Sequence, residues 1–217
     1  MTQANDSVTV TAGTGTTIAT HLVGGKEHQV FMLASASGHI EGSLDSYLAL
    51  VPPHVVAASK IHFDLWNGSA SNVLKIRGAW VVVAQDVANA GAVSVRMDWF
   101  RTSAVGTAGT AATYGSASTT TPVINPKDTN NAALPSGVSM RDTPTGGATS
   151  SAWLFNTYHG TEELQVHAAL SQWNNVLPAP DRAEQEVIIR PSQGFAARQG
   201  TVASVGNVGF LISFTIE

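Results

Sequence analysis

Apolar and polar residues alternate through much of the chain, the period expected of half-buried strands. In residues 60–66, Ile61, Phe63 and Leu65 fall on one side, with His62, Asp64 and Trp66 on the other. Asn67-Gly68 follows and predicts a hairpin turn, because both residues tolerate positive φ. Residues 73–83 repeat the pattern, with Leu74, Ile76, Trp80 and Val82 on one face and Lys75 and Arg77 opposite. Their β-branched run disfavours a helix. Residues 93–101 put Val93, Val95, Met97 and Trp99 inward and Ser94, Arg96, Asp98 and Phe100 outward. Together these three runs read as a consecutive antiparallel meander. Residues 208–216 alternate as well, with Phe210, Ile212, Phe214 and Ile216 on one face.

Weaker strand patterns lie at residues 17–23, 29–34, 152–158, 186–190 and 194–199. Eight or nine closely spaced strands predict an all-β fold, a jelly-roll-like antiparallel β-sandwich with long loops. Residues 1–20 read as an extended N-terminal arm and 21–217 as a single sandwich domain. One stretch carries helix signals. Thr161 is a fair N-cap, Glu162 and Glu163 suit a first turn, and Leu164, Ala168 and Trp173 follow. Gln165-Val166-His167 reads equally well as strand.

Composition changes the picture through charge. Of 217 residues, 12% are charged, with a net charge of −4 and no Cys. An ordinary soluble domain carries about a quarter. Two loop stretches, 102–121 and 125–147, are built mostly of small neutral residues. The acidic balance and the lack of a Lys/Arg cluster exclude a nucleic-acid-coating protein. No run approaches the ~18 apolar residues of a membrane-spanning helix, and the N-terminal residues lack the basic and apolar regions of a secretory signal. Without Cys there is no disulfide framework and no thiolate metal site.

Candidate chemistry is sparse. His62 and Asp64 share a strand face and could join a third ligand around a cation, but a surface polar pair is the plainer account. Glu162-Glu163 cannot alone form a glycosidase dyad, because adjacent strand residues face opposite ways. There is no G-x-S-x-G elbow, and Gly24-Gly25-Lys26 lacks Walker spacing. Asn67-Gly68-Ser69 matches a glycosylation sequon but reads as turn chemistry. No catalytic residue, metal site or cofactor is expected. The aromatic residues Trp66, Phe100, Tyr114, Trp153 and Trp173 are candidate protein-interface residues, since Trp and Tyr are enriched at binding hot spots. Trp80 and Trp99 read as core. Charge depletion points the same way, because interfaces are poor in Lys, Glu and Asp.

Scattered segments carry a resemblance. Gly24–Ala34, Ser37–Ser43, Arg101–Thr110, Pro144–Thr149 and Gly209–Phe214 resemble parts of tailed-bacteriophage virion structural proteins. The resemblance implies a particle component with no enzymatic role. Its expected form is a capsid decoration (cement) protein, made in the host cytoplasm and placed on the capsid surface. Such a protein would associate as a homotrimer and bridge neighbouring major capsid subunits, with no nucleic-acid or membrane partner. The N-terminal arm and the 102–121 loop are the expected contact segments. The neutral loops would be buried against other subunits, and Asp64, Lys75, Arg77, Arg96 and Asp98 would form one charged outer face. The alternatives are a tail or head-fibre module that attaches to host glycans, and a virion-borne hydrolase.

Overall fold

The computed structural model describes residues 20–23, 26–29, 44–83, 91, 94–148, 150–161, 174–175, 177 and 186–217. Residues 1–19 of the expected arm, Gly24-Gly25, Glu162-Glu163, Trp173 and the rest of the ambiguous 162–173 stretch lie outside them. The chain divides into two compact units, Met1–Ser43 and Leu44–Glu217. In the first, β1 (Thr20–Val23) and β2 (Lys26–Gln29) pair antiparallel, from Thr20 opposite Gln29 to Val23 opposite Lys26.

The second unit is a β-sandwich. Its strands are β3 (Ser46–Val55), β4 (Ile61–Asn67), β5 (Leu74–Val83), β6 (Ser94–Thr102), β7 (Thr110–Ala111), β8 (Thr113–Tyr114) and β9 (Val123–Pro126). They continue with β10 (Val138–Asp142), β11 (Ser150–Gly160), β12 (Asn174–Asn175), β13 (Val187–Ile189), β14 (Gln193–Gln199) and β15 (Asn207–Ile216). One sheet runs β12-β5-β15-β3-β9-β8, with β13 also on β5; the other runs β11-β6-β14-β4-β10-β7. Every pairing in the unit is antiparallel except β8 with β9.

The predicted meander is not formed. β4 and β6 belong to one sheet with β14 between them, while β5 lies in the other beside β15. Alternation tells a strand which face to bury but not which strand to pair with. Here the two last strands, β14 and β15, occupy central positions in the two sheets. Asn67-Gly68 therefore marks a crossover between sheets. The Asn67 amide donates to the carbonyls of Asn72 (2.8 Å) and Ile189 (3.1 Å), and its Oδ1 accepts from Ser69 Oγ (2.6 Å). The side chain is fully buried and occupied in holding the turn.

The two inner faces meet in one apolar core. Phe63 of β4 and Trp99 of β6 pack on Phe210 of the opposite sheet, with ring centroids 5.1 and 5.8 Å away. Phe195 of β14 joins them, 5.5 Å from Trp99. The inward sets predicted for β6 and β15 are buried as expected at Val95, Met97, Trp99, Phe210, Ile212, Phe214 and Ile216.

β5 departs from its predicted faces. Ser213 pairs with Gly78 but Phe214 with Ile76, so Arg77 is an extra residue. The bulge reverses the parity beyond it. Leu74 and Ile76 stay in the core, but Ala79 and Val81 replace Trp80 and Val82 there. Trp80 lies instead over Gly78, where a Cβ would collide with its ring. β3 has no counterpart among the expected strands. Tyr47, Ala49 and Val51 alternate into the core, but Pro52-Pro53 interrupts the pattern. A bulge absorbs the two prolines, one of the few sheet positions that tolerate them. No helix among the described residues is long and apolar enough to cross a membrane.

Candidate functional site

Two regions carry unusual side chains: the open edge at β11 and one polar end of the sandwich. β11 pairs only with β6 among the described residues and forms an edge of its sheet. Trp153 sits opposite Phe100, and Phe155 opposite Trp99, so Leu154 is an extra, bulged residue. Phe155 stacks inward on Trp99 at 5.7 Å. The bulge lets Trp153 and Tyr158, of opposite sequence parity, share the outer face, opposite Phe100 and Arg96. They are 59% and 67% exposed. No residue of β11 is charged.

The inward side of β11 is polar and paired. Trp99 Nε1 donates to Thr157 Oγ1 at 3.0 Å, and Thr157 Oγ1 lies 2.7 Å from His159 Nε2. Burial holds the His159 pKa down to about 4.

The five aromatic interface candidates do not form one patch. Trp153 is on the open edge, while Tyr114 is 39% exposed on β8 of the other sheet. Trp66 is half-buried beside the Gly68 turn. Phe100 does not project from its outer face: it is 1% exposed, with the Arg198 guanidinium 5.3 Å from its ring centroid. Trp173 lies outside the described residues. Tyr158 was not among the candidates. Strict alternation would have set it opposite Trp153 in facing, and only the bulge aligns the two.

The expected charged face is divided. Lys75 and Arg77 are on β5, whereas Asp64, Arg96 and Asp98 are on the other sheet. The three cations of that face are each ion-paired: Lys75 with Glu217 (2.7 Å), Arg77 with Glu186, and Arg96 with Asp98 (2.7 Å). Asp64 is not exposed at all. Thr102 Oγ1 donates to it at 2.9 Å and the Gly106 amide at 2.7 Å. Burial raises its pKa against those two hydrogen bonds. Part of the neutral 102–121 segment thus covers its own sheet. It is pinned further by Thr107 bridging to Gly146 and by β7 pairing with β10.

At the polar end, His54 of β3 and His62 of β4 stack with centroids 4.9 Å apart. His54 Nε2 lies 2.6 Å from His62 Nδ1, and His54 Nδ1 lies 3.3 Å from Asp142 Oδ1 at the end of β10. Burial lowers His54 to about 4 and His62 to about 2, with Lys60 adding to both shifts, and raises Asp142 to about 6. His62 thus turns toward His54, while Asp64 is held by Thr102 and Gly106. The two do not converge on a cation, and no group of three suitable ligands gathers among the described residues.

No family model, no curated protein and no solved structure matches this chain.

Proposed function

We propose that the chain is a structural subunit of a virion, a capsid decoration protein of the tailed-bacteriophage kind. It associates with its own copies as a trimer and bridges neighbouring major capsid subunits. Its work is done by buried area and needs no catalytic group. The observation that carries this reading is the β11 edge: eleven uncharged residues with Trp153 and Tyr158 exposed on one face. Long open edges recruit partner strands unless blunted by charge, Pro or a cover. Exposed aromatics are the usual anchors of protein interfaces.

Strand order supports the same reading. Take β3, β4, β5, β6, β11, β13, β14 and β15 as first to eighth. One sheet then reads sixth-third-eighth-first and the other fifth-fourth-seventh-second. That interleaving supports a jelly-roll reading, with β9 and β10 added beside the first and second strands. Jelly rolls build viral shells and also sugar-binding domains, so the fold alone does not choose between them. The charge-poor surface favours the shell.

The test is quantitative mass spectrometry of purified particles, with add-back of the chain to particles lacking it. Hundreds of copies per particle, and restored resistance to rupture on add-back, are expected. A dozen copies or fewer, or glycan-array binding lost in Trp153→Ala, would favour an attachment module instead.

A further inference from the structure

Two β-bulges face each other at one end of the sandwich, one in each sheet. In β3, Pro52 and Pro53 together oppose Gly209 of β15, and pairing resumes with His54 opposite Val208. In β4, His62 is the extra residue between Ile61 and Phe63, which sit opposite Arg198 and Ala197 of β14. Bulges re-aim side chains. His62, like its neighbour Phe63, lies against Phe210 of the opposite sheet, at 5.6 Å. The redirected His54 and His62 meet each other across the gap.

Their protons can be assigned from the partners. His54 Nδ1 faces two acceptors, Pro52 O at 3.1 Å and the Asp142 carboxylate, so it carries the hydrogen. Its Nε2 is therefore a lone pair, and His62 Nδ1 must donate to it. His62 Nε2 is left as a second lone pair, buried and without a hydrogen-bond partner. Both rings are thereby fixed in the Nδ1–H form.

The charged and titratable surroundings are few. Lys60, before β4, donates to Val55 O at 2.9 Å. β10 contributes Asp142. Asp64 of β4 is engaged by Thr102 and Gly106. β15 presents apolar Phe210.

We infer that the His54–His62 contact is an acid-sensitive latch that holds the ends of β3 and β4 together across the two sheets. The contact needs one free lone pair, which the neutral pair supplies. In mild acid the first proton goes to Asp142, which removes the negative charge 3.3 Å from His54 Nδ1. The next enters the histidine pair, where a single imidazolium keeps its N–H···N bond but places an unneutralised charge in a buried site near Lys60. A further proton leaves two stacked cations and no lone pair between them. It is the buried positive charge on the histidine pair that loosens the junction, and the second cation breaks the contact. The latch is independent of the assembly reading and survives its failure.

The test uses the full chain with 15N-labelled histidine. Long-range proton–nitrogen spectra are recorded from pH 7.5 to 4, with amide exchange at residues 54–55 and 61–63. Expected are Nδ1–H tautomers for both rings at pH 7.5 and no titration of either near 6.5. Exchange at those amides should rise by about tenfold or more relative to residues 210–216 as the pH falls to 4. In His62→Gln the glutamine amide can still donate to His54 Nε2 but cannot take up a proton, so the rise should shrink. An Nε2–H tautomer in either ring, titration near 6.5, or an undiminished rise in His62→Gln would overturn the latch. So would zinc ions binding both rings at neutral pH, which would make the pair a metal site. If His62→Gln does not fold, the wild-type tautomers decide alone.

Discussion

β15 and β11 are strands of ten and eleven residues, both uncharged and both rich in aromatic or aliphatic side chains. Their surroundings are opposite. β15 lies between β5 and β3 and buries Phe210, Ile212 and Phe214 completely. Among the described residues β11 has one neighbour, and it leaves Trp153 and Tyr158 exposed. Apolar content therefore does not assign a strand its role; its place in the sheet does. In β15 the aromatic residues hold the sandwich together. In β11 Trp153 and Tyr158 take no part in it and stay exposed.

The largest effect should come from the buried strand. Phe210→Ala removes the ring that touches Phe63, Trp99 and His62. It should destabilise by about 3–5 kcal/mol in urea unfolding. A loss near 1 kcal/mol would break the claim that β15 carries the core.

Acid sharpens the contrast at the two polar clusters, His54–His62–Asp142 and the His159 network inside β11. The histidines have folded pKa values below their unfolded one, so their contribution is present above pH 6.5 and fades as the pH falls toward 4. Asp142 is raised to about 6 and works the other way between there and its unfolded value. Asp64, raised by burial, opposes them in the same sense, but three histidines outweigh two carboxylates, so unfolding free energy should fall between pH 6.5 and 4. The slope is about 1.4 kcal/mol per pH unit for each excess proton bound by the unfolded chain. Urea titrations at half-unit pH intervals measure it. A flat profile would contradict the buried, neutral histidines.

Asp64→Ala should lose about 1–3 kcal/mol, because the Thr102 hydroxyl and Gly106 amide are left without their acceptor. Proteolysis should then cut near Gly106 faster than in the parent chain. Smallest of all is the effect of Trp153→Ser with Tyr158→Ser, expected within about 0.5 kcal/mol of the parent in the same urea assay at concentrations too low for assembly.

Much of the sandwich was legible because inward faces obey period two. Phe63, Leu65, Val95, Met97, Trp99 and the β15 set are where alternation puts them. The misses share one cause. Arg77, Pro52-Pro53, His62 and Leu154 lie at bulges, each adding a residue and resetting facing locally. They sent Trp80 outward, hid β3, turned His62 toward His54, and set Tyr158 on the same face as Trp153. A bulge depends on the register with a partner distant in sequence, which a single strand's pattern does not contain. The charged face failed for a related reason: residues assigned to one meander were distributed between two sheets. Charge depletion was visible at once, yet part of it serves the fold, as Gly106 capping Asp64 makes plain.

Sedimentation velocity decides whether β11 is the assembly surface proposed for it. The full chain should sediment as a trimer, and the Trp153→Ser/Tyr158→Ser chain as a folded monomer. A parent chain that stays monomeric at high concentration, or a trimer indifferent to the double substitution, would contradict it.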